Sequence, residues 1–551
     1  MLQRFISETN TYSRIFAPAN GTRHYRNFAL VLLIGLALAI RITEVATHQN
    51  IIWPDEIYQT LEPAHHLVFG EWIRSWEWVV GMRSWLVPAL LAGPLWLGRL
   101  LDPSGSAGRL IVTGLMLLLA LIPVLVGFLF GERVKGTAGG LIVGGMAAIW
   151  PDLIYMAPHP LMDVFASHVL LVALYLAVPL TSTSPVGRLG AAGALLGLAI
   201  YLRMQLGPAV AVIALLAAGR SIERWRALAV SSGVALVVLG LFDWATLGTP
   251  FQSLWLNFWF NIVGKVSDEF GVAGPLFYVS LSEVLWGPAV VAVFLILAFN
   301  YRQHFPLLVV LLTIVATQSL ISHKEWRFIF PALSILPILL GLRLLDLLPR
   351  LTDLADKVGA PRPAAAIGLA ILMIGMAVAI GSTPTFSGAR SHRGAMLQAF
   401  GALKRDPGVC GVGLLFLKGQ DADQSWVFGP GSTALPPGTP LYAALPEAGW
   451  KSSPSYNAAV IEDEEVPPPP FRLVSCAAAG SGNPLVRGAR TCVWRRPGGC
   501  SRAAAEPLKV NWPGYFLDDS GRVRPDRVSP RVLGMRPSPS RPLATAVSDG
   551  R

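Results

Sequence analysis

Hydrophobicity along this chain comes in long blocks, not in the short alternations of a soluble fold. Apolar segments of membrane-spanning length lie at 28–46, 108–130, 138–156, 163–180, 188–204, 207–220, 226–245, 286–300, 305–321, 328–347 and 363–381. Each reads as a transmembrane helix, about eleven in all. The piece from Trp85 to Leu101 is also apolar, but Pro88 and Pro94 interrupt it. It reads as a helix lying in the membrane interface, and that choice sets the side on which every later loop emerges. After Gly381 the apolar blocks stop, and residues 382–551 are polar and rich in Pro, Gly and Ala. Strand-like runs at Val412–Leu417 and Phe471–Ser475, with a loop at Pro467–Pro470, predict a small α/β or β-rich domain over 382–510. The Pro-, Arg- and Ser-rich tail, 511–551, is expected to be disordered. Residues 1–27 form an N-terminal segment ahead of a membrane domain at 28–381, whose largest outer loops are 46–107 and 246–285.

Composition agrees with the blocks. Of 551 residues 53% are hydrophobic and 14% charged, against about a quarter charged in soluble domains, and the mean hydropathy is +0.53. The net charge of +11 does not point to nucleic acid, because the basic residues sit in short loops between apolar runs. With residues 1–27 in the cytosol, successive cytosolic loops carry Arg133 and Lys135, then Arg188, then Arg220, Arg224 and Arg226, then Arg302, then Arg343, Arg350, Lys357 and Arg362. That is the positive-inside pattern, and it sends the remaining polar clusters to the opposite face. No small-residue cleavage site precedes Arg41, so the first apolar run is expected to stay as a helix instead of being removed as a signal peptide. Arg41 and Glu44, three residues apart near its outer end, are expected to pair. The four cysteines, Cys410, Cys476, Cys492 and Cys500, contain no CxxC. Zinc-ribbon and thioredoxin readings fail, while disulfides and free thiols both stay open.

The chemistry concentrates in Trp53–Ser84, WPDEIYQTLEPAHHLVFGEWIRSWEWVVGMRS. Asp55, Gln59, Glu62 and His66 are spaced to share one face of a helix that Pro54 begins. Carboxylates, histidines and tryptophans crowded at a membrane surface need a reason. The order Pro54-Asp55-Glu56, Gln59, Glu62-Pro63-Ala64-His65, Gly70, Trp76-Glu77-Trp78 and Arg83-Ser84 resembles the glycosyltransferase family 22 mannosyltransferases, which build N-glycan precursors and GPI anchors. His323-Lys324-Glu325-Trp326-Arg327-Phe328 is similar to that family's HKE-x-RF motif. Asp243 and the aromatic, amide-rich stretch after it are similar too. Trp53 departs from the family's usual His, and His159, Asp163 and Ala166 stand where its second outer loop carries Arg, Asn and Glu.

The resemblance implies a GT-C type membrane fold and an inverting transfer of mannose to a glycan or glycolipid from a polyprenyl- or dolichyl-phosphate donor. Asp55 is then the expected base, with Glu56 second, and an acceptor hydroxyl attacks the anomeric carbon. His323, Lys324, Arg327 and Arg203 are expected to meet the phosphate. Gln59, Glu62, His65, Trp76, Glu77, Arg83, His159, Asp163 and Glu325 are expected to line the binding site. A lipid-phosphate donor needs no nucleotide clamp, so no metal and no cofactor are expected, and no nucleic-acid partner. The alternative is a transporter or flippase of lipid-linked sugars, which would show inverted repeats and midplane charges; here the polar groups cluster at one surface and no repeat is visible. The Ala-, Gly-, Arg- and Pro-rich composition suggests a bacterial plasma membrane with a periplasmic site. The resemblance keeps open an endoplasmic reticulum membrane with a lumenal one.

Overall fold

Every apolar block becomes helix. The computed structural model describes residues 20–51, 53–102, 105–359, 361, 363–391, 393–415, 429–443, 453–462, 466–478, 490–501 and 506–511. Most of the segment expected at 1–27, and the tail expected at 511–551 beyond Asn511, lie outside the described residues. Five apolar stretches are long enough to cross a membrane: Arg23–Thr47, Ser106–Ile149, Ile222–Leu247, Trp326–Lys357 and Pro363–Gly381. Shorter apolar helices include Met162–Ala177, Val186–Leu202 and Phe305–Leu320. The chain is a multi-pass, all-α membrane protein with a small sheet region near its C-terminus.

Contacts divide it into two compact units that do not follow chain order. One holds residues 1–47, 116–239 and 271–386; the other holds 48–115, 240–270 and 387–551. In the first, Phe330–Lys357 packs against Ile122–Ile149 and Met162–Ala177, and the apolar window of Trp326–Lys357 is 94% buried. It is the core of that unit, although its composition matches that of Ile222–Leu247, whose window is only 17% buried. The latter exposes Val230, Val234, Val237 and Val238, as a helix apolar on all sides does when lipid is its solvent. The 44-residue stretch Ser106–Ile149 turns back on itself where Lys135 (φ −141°) and Gly136 (φ 63°) leave helical geometry, as the separate segments at 108–130 and 138–156 require. The two arms touch backbone to backbone, since a Cβ on Gly131 would stand 2.2 Å from the Gly139 carbonyl oxygen. Small residues allow this approach.

Two details differ from the expectations. The segment placed at 138–156 ends as a helix at Ile149; Trp150 is extended (ψ 121°) and Pro151–Tyr155 starts a new short helix. Arg41 does not pair with Glu44. Its guanidinium is fully buried and donates to the carbonyls of Ala37 (3.0 Å) and Ala148 (3.2 Å).

In the second unit the segment read as interfacial is the helix Leu86–Leu101, about 24 Å long and short of the bilayer core. It buries Val87, Leu91 and Leu95 and exposes Leu90, Trp96, Leu97 and Leu101. The described strands are β1 (Arg74–Ser75), β2 (Val412–Leu415), β3 (Leu441–Ala443), β4 (Ala458–Glu462), β5 (Arg472–Ala478), β6 (Arg490–Arg495) and β7 (Val510–Asn511); the C-terminal sheet runs β3-β2-β4-β6-β5, and β1 and β7 form a separate pair. β2 is parallel to β3 and β4, and β6 is antiparallel to β4 and β5. β1 pairs with β7 and so ties the first outer loop to the end of the described chain. Both disulfides form, Cys410–Cys500 and Cys476–Cys492. Sequence had left them open because pairing depends on strand register, and only the register sets Cys476 opposite Cys492.

Candidate functional site

The first outer loop begins as predicted, with a helix from Pro54, but its first turns are wide. Glu56–Leu61 form a π-helix before ordinary α-helix resumes over Glu62–Phe69. Wide turns of this kind gather at functional positions, and they shift side-chain alignment from four residues towards five. The single face expected for Asp55, Gln59, Glu62 and His66 is therefore broken. Asp55, at the N-cap of the wide turn, keeps partial exposure, whereas Glu56 is 4% exposed.

The other motif side chains of this loop are engaged by protein partners. Glu77 accepts from Gln59 Nε2 (3.2 Å) and from the Arg83 guanidinium. Glu62 is fully buried and takes three donors: Ile73 N–H at 2.7 Å, Ser432 O–H at 2.5 Å and Thr433 N–H at 3.1 Å. Burial pushes its carboxyl up, and Ser432, His65 and the two amides offset part of the rise. Gly431 permits this approach, because a Cβ there would lie 2.2 Å from Glu62 Oε1 and the residue sits at φ +68°. His65 Nδ1 lies 3.0 Å from the Glu71 carbonyl oxygen, and its ring stacks on Phe69. Two expectations change here. Glu62 holds the segment around Ser432, and Trp76 packs with Met82, Leu256, Phe260 and Val266, so both side chains carry structural contacts that the binding expectation did not include. Trp78 is likewise turned inward, with its indole N–H donating to the Tyr58 carbonyl at 3.0 Å. Further along, Asp243 is fully buried and accepts from Ser253 N–H (3.0 Å) and O–H (2.6 Å). It caps the helix Gln252–Phe258 that opens the 246–285 loop.

In the other unit the second motif forms a chain of ion pairs. Asp163, at the start of Met162–Ala177, holds Arg203 at 2.5 Å. Glu325 holds His323 Nε2 at 2.9 Å and Arg327 Nε at 2.5 Å. His323 Nδ1 meets the Gly271 carbonyl at 2.7 Å. Arg327 and Glu325 both act electrostatically on Asp163, so the two pairs share one neighbourhood, and Tyr278 O–H donates to the Glu325 carbonyl at 3.2 Å. Burial works against charge on both members of the His323–Glu325 pair. The Arg327 guanidinium and the His323 bond nevertheless hold the Glu325 carboxyl down at about 2. Bonds to Glu325 and the Gly271 carbonyl raise the His323 imidazole above its ordinary value. His159 is buried beside Tyr155, ring centroids 5.9 Å apart. Lys324 departs from the phosphate-ligand expectation: its ammonium donates to the carbonyls of Ala273 (2.7 Å), Ile321 and Ser322 (3.5 Å). It holds the turn closed.

Sequence reasoning passed over Asp152. It is fully buried and receives indole N–H groups from Trp286 (3.2 Å) and Trp326 (3.1 Å). Among the described residues, no group of three His, Cys, Asp or Glu side chains could hold a metal ion.

Residues 32–398 match the model of the Alg9-like mannosyltransferase family. The chain is 45% identical to the GPI mannosyltransferase 3 of Drosophila melanogaster over 64 residues, 12% of this chain and 11% of that protein. It is 36% identical to the GPI alpha-1,2-mannosyltransferase 3 of Homo sapiens over 62 residues, 11% of each. To the mannosyltransferase APTG1 of Arabidopsis thaliana it is 32% identical over 120 residues, 22% of this chain and 21% of that protein. The chain thus covers between 11% and 21% of the length of these relatives. Among solved structures, ArnT from Cupriavidus metallidurans bound to undecaprenyl phosphate aligns over 84% of this chain and 97% of that one, with a TM-score of 0.49 and 15% identity.

Proposed function

The chain belongs to the Alg9-like mannosyltransferase family, and on that premise we propose that it is an inverting membrane glycosyltransferase. It moves mannose from a polyprenyl- or dolichyl-phosphate donor to a hydroxyl of a glycan or glycolipid. The acceptor oxygen attacks the anomeric carbon, the bond from that carbon to the phosphate oxygen breaks, and the lipid phosphate leaves. The acceptor proton passes to Asp55, and a β-linked donor gives an α-linked product. Arg327, Arg203 and protonated His323 supply positive charge for the leaving phosphate.

One observation carries the choice of base. Of the motif carboxylates, Asp55 is half-buried, whereas Glu56, Glu62 and Glu77 are buried. Two disulfides in the C-terminal region support an oxidising compartment for the outer side. They favour 382–510 as an extracytosolic domain, with the chemistry facing the same way. Composition favours a bacterial plasma membrane and its periplasmic face; the family resemblance favours the endoplasmic reticulum and its lumen.

Asp55→Asn should leave thermal unfolding unchanged and lower transfer from lipid-phosphate mannose about 10²–10⁴-fold, the range for a lost general base. Wild-type transfer by that variant would refute the assignment. A transporter of lipid-linked sugar would move its cargo without forming a new glycosidic bond, so product analysis in the same assay separates the two readings.

A further inference from the structure

Among the described residues Asp152 makes no ion pair, and its partners are hydrogen-bond donors. Its 0% exposure would be costly for a charge without compensation. Part of the compensation comes from two indole N–H donors, one per oxygen: Trp326 Nε1 to Oδ1 and Trp286 Nε1 to Oδ2; Trp150 and the backbone also favour the ionised form, and burial still pushes the carboxyl up to about 7. An ionised carboxylate suits this task because it only accepts, through two oxygens pointing apart. An amide in its place would offer one acceptor and set an N–H group against the second indole.

The two indoles belong to different elements. Trp286 ends the helix Phe277–Trp286, and Trp326 opens the tight turn Trp326–Ile329 within the second motif. Trp326 is also wedged by aromatic rings. It stacks on Tyr155 at 5.2 Å and 10°, and meets Phe386 edge-on at 5.3 Å. Trp150 stands edge-on to Trp286 at 5.9 Å. In a turn of three residues per revolution, neighbours diverge by about 120°. Drawing Trp326 inward onto Asp152 therefore turns Arg327 away from the aromatic wedge. Glu325, extended at φ −135°, lies on the other side of Trp326 in the chain. These two residues make the ion pair that shares a neighbourhood with Asp163 and Arg203.

We propose that Asp152 is a positioning residue for the second motif: by bridging Trp286 and Trp326 it fixes the face on which Arg327, paired with Glu325, meets the phosphate of the sugar donor. The inference rests on Arg327 acting as a phosphate ligand. It assigns Asp152 no contact with substrate.

The test uses full-length protein in lipid nanodiscs, with Asp152→Asn, Trp326→Phe and the double variant. Asp152→Asn is close to isosteric, which guards against simple unfolding. Two readouts are taken: amide hydrogen exchange across 321–329 without any substrate, and donor and acceptor KM with lipid-phosphate mannose. Asp152→Asn should speed exchange in that segment and raise donor KM, each about tenfold, the size expected when a buried charge-assisted hydrogen bond is lost. Acceptor KM should stay within about twofold, below the loss of one such bond. In the Trp326→Phe background, Asp152→Asn should add less than about twofold, because residues acting through one another are not additive. Wild-type exchange in Asp152→Asn overturns the proposal, as does an unchanged donor KM or a full penalty that persists in Trp326→Phe. If the wild-type protein transfers no sugar from this donor, the functional reading has failed, and exchange alone decides whether Asp152 positions the turn.

Discussion

In the first outer loop the ionisable side chains are largely spent on the protein itself. Glu62 is closed off by two backbone amides and a hydroxyl, and Glu77 by an amide and a guanidinium. Around the 323–327 turn the pairs are charge to charge, Asp163 with Arg203 and Glu325 with His323 and Arg327. The balance of charge also differs. Among the motif residues, Asp55, Glu56, Glu62 and Glu77 outnumber Arg83 in the first region, where Arg109 also acts electrostatically on Glu56 and Glu62, while Arg203, Lys324, Arg327 and His323 outnumber Asp163 and Glu325 in the second. An excess of carboxylate suits a proton acceptor. An excess of cation, paired with acidic partners, suits an incoming phosphate that competes for the same donors. The contrast predicts a first region that holds still and a second that trades partners when phosphate arrives.

Removing Glu62 should break the first half of that contrast most sharply. Glu62→Ala leaves the Ile73 and Thr433 amides and the Ser432 hydroxyl without their acceptor. Buried groups left so cost about 1–3 kcal/mol each, so a loss of about 3 kcal/mol or more is expected, read as a lower Tm of the purified protein. Gly431→Ala should act in the same direction, by driving a methyl group against the Glu62 carboxylate. A Glu62→Ala protein that unfolds like wild type but fails to bind acceptor would return Glu62 to the substrate site.

A smaller effect separates the two cations of the second motif. Lys324→Met should cost about 2 kcal/mol of stability, because the carbonyls of Ala273, Ile321 and Ser322 lose their donor. Arg327→Lys should leave Tm in place and raise donor KM about tenfold, since an ammonium cannot reproduce the forked geometry. Equal donor KM changes in the two variants, with no difference in stability, would make Lys324 a phosphate ligand after all.

Much of this was legible in the residues. The apolar blocks gave the helices, and Pro54 gave the start of the first outer helix. The ordered motif picked out Gln59, Glu77 and Arg83, which the fold joins into one network. Three things were hidden for physical reasons. A π-turn has no distinct hydrophobic period, so Glu56–Leu61 read as ordinary helix. Glu62 and Lys324 are engaged by backbone groups, and a sequence carries no record of where its amides and carbonyls point. Asp152 sat inside a segment apolar enough to read as a span, and its two tryptophan donors come from 134 and 174 residues away.

The gentlest perturbation, pH, tests whether the second region really trades partners. His323 Nδ1 faces a carbonyl, which can only accept, so that nitrogen keeps its proton in either state. Nε2 faces Glu325, which stays ionised because its own value is held at about 2. Within this pair His323 is thus the group that titrates near neutrality, and Asp152, raised to about 7, titrates there as well. Its folded-state value is raised despite burial, by Glu325 and the Gly271 carbonyl and against the nearby Arg327. A raised histidine stabilises the fold fully below its ordinary value of about 6.5 and loses that contribution as pH climbs through the raised one. Above that point the imidazole no longer shares Glu325, and the carboxylate is left to Arg327 alone, which tightens the internal pair at the phosphate's expense. Donor KM should therefore rise severalfold between about pH 6 and pH 8, and His323→Gln should flatten the rise while leaving the acceptor profile alone. Superimposable donor profiles for the variant and wild type would show that the Glu325–Arg327 pair does not respond to its histidine, and that the second region is as fixed as the first.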